Sequence, residues 1–92
     1  MSHPDEAAAI DLPGGDRLAL YAFSAGAADR GTIVRLNHQR RLWTASPPDN
    51  AAPDAFVSLG YEGSVVIADT WQGLRVRIDP DTGAILDSTF VK

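Results

Sequence analysis

The sequence predicts an all-β protein, a single, strongly twisted antiparallel β-meander of about six or seven strands. Short runs rich in β-branched and aromatic residues recur along the chain, led by 64–69 (SVVIAD) and 74–78 (LRVRI). Segments of turn length, rich in Gly, Pro, Asn and Asp, separate them. Sequential strands joined by short connections pair as antiparallel neighbours.

Taken in order, residues 4–10 (PDEAAAI) suit one or two helical turns. Ser2 would cap them, Pro4 would sit in the first turn, and Asp5 and Glu6 would favour the helix dipole. The alternative for residues 1–12 is a frayed terminus. Pro13-Gly14-Gly15-Asp16 is a turn signal, and 17–23 (RLALYAF) is the first strand. A small, polar connection at 24–31 leads to the short strand 32–36 (TIVRL). Asn37-His38-Gln39-Arg40 suits a hairpin loop into 41–45 (RLWTA). Residues 46–55 hold three of the six prolines and exclude regular structure. Residues 56–59 run into an expected turn at Gly60-Tyr61-Glu62-Gly63, followed by 64–69 and the turn Thr70-Trp71-Gln72-Gly73. In 74–78, Leu74, Val76 and Ile78 alternate with Arg75 and Arg77. Asp79-Pro80-Asp81-Thr82-Gly83 is a bulged hairpin turn in which Gly83 takes the left-handed conformation. Residues 84–91 (AILDSTFV) close the chain as a strand.

The 92 residues form one domain, and an apolar share of 45% with a charged share of 22% is a globular composition. A chain without cysteine has no disulfide framework, thiolate metal site or cysteine nucleophile. No apolar run reaches a membrane span and the N-terminus lacks the pattern of a signal peptide, so the expected location is cytoplasmic. The net charge of -4 disfavours nucleic acid and favours basic partners. One sheet face is apolar and needs cover, from curling, from the N-terminal segment or from another copy of the chain.

An internal repeat underlies this pattern. Gly31-Thr32-Ile33-Val34-Arg35-Leu36-Asn37 matches Gly73-Leu74-Arg75-Val76-Arg77-Ile78-Asp79 at an offset of 42, and Leu42-Trp43 matches Ile85-Leu86 at an offset of 43. The repeat resembles the blade of quinoprotein-type β-propellers, in which a strand ends in an apolar residue and Asp, a Thr-Gly turn follows, and the next strand carries an apolar residue and Trp. Ile78-Asp79 with Thr82-Gly83 supplies the first elements and Leu42-Trp43 the last. Propellers need about four blades to close and the chain has material for two, so the resemblance implies no closed propeller and no propeller cofactor. The whole layout, ending in Ile78-Asp79-Pro80-Asp81-Thr82-Gly83-Ala84-Ile85 and Phe90-Val91-Lys92, is similar to small bacterial immunity proteins. That resemblance implies a protein that neutralises a toxin encoded beside it.

Catalytic chemistry is poorly supplied. The histidines are His3, in the N-terminal segment, and His38, in a hairpin loop, and neither sits beside catalytic partners on a rigid strand. Asp79-x-Asp81-x-Gly83 has the start of a calcium loop but lacks its distal Glu, and turn chemistry explains it. Asp69 and Asp87 have the makings of a cross-strand carboxylate pair, but strand ends carry such residues routinely. No catalytic residue, metal or cofactor is expected. Arg35, Arg75 and Arg77 are expected on one face, opposite a buried Val34, Leu36, Val76 and Ile78, and paired with acids on neighbouring strands. Trp43 is expected in the core. The expected partner-binding residues are Tyr61, Glu62, Trp71, Gln72, Asp79 and Asp81, where aromatic anchors and acids alternate in turns. With Asp69 and Asp87 they would meet a basic toxin domain. The second functional reading is a structural or homodimeric β domain.

Overall fold

A computed structural model describes residues 6–21, 31–38, 40–48 and 54–90. They form two four-stranded antiparallel sheets, each in sequential order, with no helix among the described residues. The first sheet holds β1 (Glu6–Asp11), β2 (Arg17–Tyr21), β3 (Ile33–Asn37) and β4 (Arg40–Ala45). The second holds β5 (Gly60–Glu62), β6 (Val65–Asp69), β7 (Leu74–Ile78) and β8 (Ile85–Phe90). The all-β class holds, but the single meander becomes two sheets. The Pro-rich stretch that separates β4 from β5 denies the ladder its backbone donors and divides the meander in the middle. Of that stretch, residues 49–53 lie outside the described residues, as do His3, 24–30 and the proposed cap at Ser2.

Two local expectations are corrected. From Glu6 onward the N-terminal segment is a strand: Ile10 pairs with Leu18 and Asp11 with Arg17. Alanine-rich helices this short are marginal in water, whereas as a strand Ala8 and Ile10 pack against the core. The expected turn at residues 60–63 is also displaced. Gly60–Glu62 is β5, and the turn falls on Gly63 and Ser64, with φ of 59° and 65°. Two left-handed central residues make the two-residue hairpin whose twist suits its strands. Residues 56–59 form no strand, and Phe56 bridges Thr70 alone.

The sheets share one core. Leu18, Leu20, Ile33 and Ala45 of the first meet Val66, Ala68, Leu74, Val76 and Ile78 of the second, joined by Phe56 and flanked by Trp43 and Tyr61. Each sheet therefore covers the other's apolar face.

The repeat is structural as well as sequential. The β3–β4 ladder slips between Arg35 and Leu36, and the β7–β8 ladder slips between Arg77 and Ile78, the same position at an offset of 42. Beyond the turns, Arg35 faces Trp43 while Arg77 faces Asp87, so the pairing aligns Trp43 with Asp87 and moves the offset from 43 to 44.

The two units pack with unlike faces. Val76 and Ile78 point into the shared core, but their counterparts Val34 and Leu36 belong to a separate cluster with Ala19 and Tyr21 on the opposite face of the first sheet. The counterparts of exposed Arg75 and Arg77 are Ile33, fully buried in the core, and Arg35. Strict alternation holds in both strands, yet Val34 and Leu36 do not share the inter-sheet face with Val76 and Ile78. Head-to-tail stacking of two like units presents opposite faces to one interface, so equivalent residues cannot both enter it.

Candidate partner-binding site

Arg35 lies on the inter-sheet face, where its side chain is 18% exposed. Its Nε donates to Asp16 Oδ2 at 2.9 Å and its Nη1 to the Pro80 carbonyl at 2.6 Å. Asp16 also accepts from Asn37 Nδ2 at 2.6 Å. Trp43 Nε1 donates to the same Pro80 oxygen at 2.8 Å. One carbonyl with two lone pairs thus receives two side chains from the first sheet and fixes the β7–β8 turn over it. Trp43 is half-buried against the core, close to its expected place. Arg35 is a structural brace and not part of a patch with Arg75 and Arg77.

The Asn37 amide and the Arg35 guanidinium hold the Asp16 carboxyl below its ordinary value of 3.8. A depressed carboxyl stabilises the fold fully above its unfolded value, and that contribution disappears as pH falls through the lowered folded value. Asp16→Asn should therefore flatten the acid side of a melting-temperature-against-pH profile below about pH 4. Equal acid sensitivity in wild type and variant would remove Asp16 from the brace.

On the outer face of the second sheet, Arg75 Nε pairs with Asp69 at 3.0 Å and Arg77 Nη1 with Asp87 at 2.9 Å. These are the neighbour-strand pairs expected of a solvated face, and each contributes little. Asp69 and Asp87 are thus held by separate arginines. Asp79 Oδ1 accepts the Asp81 amide at 2.8 Å, the turn chemistry expected there, and no group of three His, Cys, Asp or Glu able to hold a metal occurs among the described residues. His38 is a turn residue with φ of 49°.

The six expected partner-binding residues do not form one surface. In a sequential meander, the β5–β6 and β7–β8 turns share one end of the sheet and the β6–β7 turn occupies the other. Glu62, Asp79 and Asp81 lie at the first end, and Trp71 and Gln72 at the second, separated by the five residues of β6, about 16 Å. Tyr61 lies on β5 and packs against the core, so it is not a loop-tip anchor.

The second end has the stronger geometry. Trp71 is 69% exposed at the tip of the turn. Beneath it the backbone is clamped. Thr70 N donates to Leu74 O at 2.8 Å, Gly73 N to Thr70 O at 3.0 Å, and Leu74 N to Thr70 Oγ1 at 3.1 Å. From the segment alongside, Ala55 O accepts Trp71 N at 2.9 Å and Asp54 Oδ1 accepts Gln72 N at 3.1 Å. Phe90, 74% exposed, joins this end because it pairs with Leu74. Sequence reasoning did not single out Phe90. The available signal was that the last strand of a meander is an edge, where an inward-pointing side chain can outrun its cover.

These features define a small all-β domain of two stacked, repeated four-stranded sheets, with a rigid aromatic turn at one end. The chain belongs to the DUF7957 family: the model described as "Domain of unknown function (DUF7957)" matches residues 19–90, from β2 through β8. No curated protein and no solved structure matches the chain.

Proposed function

We propose that this is a non-catalytic protein-binding module, of the kind in which an immunity protein neutralises a cognate bacterial toxin in the cytoplasm by occluding its active surface. The observation that supports the reading is an exposed indole on a turn clamped by five hydrogen bonds. Binding hot spots are most often aromatic, and a turn already fixed in place loses little entropy on contact. Trp71 and Gln72 form the primary contact. Glu62, Asp79 and Asp81, at the far end, act through charge on a basic partner.

Trp71→Ala should weaken a cognate complex by roughly 2 kcal/mol or more and leave the melting temperature within about 2 °C of wild type. The test is paired capture from the native host with wild type and Trp71→Ala, followed by titration of the captured protein and assay of its toxicity. A toxic protein held by wild type and lost by the variant supports the reading. If no partner distinguishes the two proteins, or the variant unfolds, Trp71 is not the anchor. Charge reversal at Glu62 should slow association mainly at low salt, because it lies about 16 Å from Trp71, more than a Debye length at physiological ionic strength. Asp81 lies 3.4 Å from Arg35 Nη1, so reversal there also loosens the brace.

A further inference from the structure

Four strands end the two sheets: β1, β4, β5 and β8. Three of them are short or charged. β5 has three residues, β4 opens with exposed Arg40 and Arg41, and β1 runs from Glu6 to Asp11. β8 differs. All six of its residues are exposed, and it has no proline and no basic residue. Its one charge, Asp87, is engaged by Arg77. Ile85, Leu86 and Phe90 are 40%, 52% and 74% exposed. Natural sheets protect such edges with lysine, proline, short length or a bulge, and β8 has only the last, a single bulge opposite Arg77 and Ile78 that leaves Asp87 to Phe90 in regular register.

We infer that β8 is a self-association edge, on which the β8 of a second copy of this chain pairs antiparallel in a two-fold dimer. The pattern of β8 is what points to a second copy. A two-fold axis through a sheet keeps each side chain on its own face, so the pairing must centre on a residue and not between two. Centred on Asp87, it sets two carboxylates opposite one another. Centred on Thr89, it sets Phe90 against Ser88 and leaves Leu86 unmatched. Centred on Ser88, it pairs serine with serine, sets each Asp87 against the Thr89 hydroxyl of the other copy, and brings each Phe90 level with the other copy's Leu86. In that register apolar meets apolar at both ends and no like charges face each other. The result is one continuous sheet of eight strands. A single added strand pair makes a small interface, so the dissociation constant should be about 10–100 µM.

The chain has no cysteine, so single-cysteine variants of the whole protein report the register cleanly. Under mild oxidation Ser88→Cys should form a disulfide dimer at least about tenfold faster than Asp87→Cys or Thr89→Cys. Only residue 88 meets its own copy at the roughly 5 Å that a disulfide spans. Sedimentation of wild type should show a dimer growing with concentration, and Phe90→Lys should shift it to monomer with an unchanged melting temperature. A wild type that stays monomeric to about 500 µM, or equal cross-linking by all three cysteine variants, would overturn the inference. An edge that serves a strand from a different protein gives the first of those results.

Discussion

Gly31→Ala is expected to cost about 4 kcal/mol, a large fraction of the stability of a small domain. Gly31 stands where the two halves of the chain touch. Its N–H donates to Tyr21 O at 3.0 Å and its carbonyl accepts Phe56 N at 2.9 Å. Its φ is 64°, where a side chain is strained. An added Cβ would overlap Ala55 Cβ and stand 2.9 Å from Ala55 Cα. That neighbour is backbone, so it cannot swing away, and overpacking adds to the strain. Urea denaturation of Gly31→Ala, Ala55→Gly and the double variant measures the effect. The double variant should recover part of the loss, because the two sites share one contact. A cost under about 1 kcal/mol for Gly31→Ala would mean that the segment from Ala55 to Phe56 does not pack here.

Gly83→Ala should destabilise by about 2–4 kcal/mol, the sum of backbone strain and overpacking. The sequence alone predicted a left-handed Gly83 from its place in the turn, and its φ is 77°. The fold adds a second cost that the turn did not reveal. A Cβ at Gly83 would lie 2.7 Å from Trp43 Cδ2, because the indole lies flush against the glycine while donating to Pro80 O. Trp43→Leu in the same background separates the two effects. The packing part should be relieved and the backbone part, about 1 kcal/mol, should persist. If the Gly83→Ala cost is the same in both backgrounds, Trp43 is not the obstacle.

Local chemistry was legible where each residue's own alternation or turn propensity decided the outcome. Leu74–Ile78 is a strand with the bounds read from its pattern, and Gly83 takes the backbone conformation its turn demands. The repeat was also legible, and the matching slips at Arg35 and Arg77 give it a structural counterpart. What misled was propensity in short segments. The alanines of β1 favour a helix in isolation and become a strand because β2 offers a ladder. The flanking glycines point to a turn centred on Tyr61 and Glu62, whereas the hairpin takes its two left-handed residues at Gly63 and Ser64, two positions later.

The class of fold, the order of most strands and the conformation of the last turn are readable from the residues alone. These depend on side-chain period and on the φ each residue tolerates, both of which are local. Which faces meet depends instead on how the two sheets pack. Val34 and Val76 occupy one position of the repeat, yet Val76 enters the shared core and Val34 does not, because stacked units touch through opposite faces. For the same reason Arg35 became a brace between the sheets while Arg75 and Arg77 stayed in solvent. The separation of Trp71 from Glu62 and Asp81 likewise follows from strand direction, since successive turns of a meander alternate between its two ends.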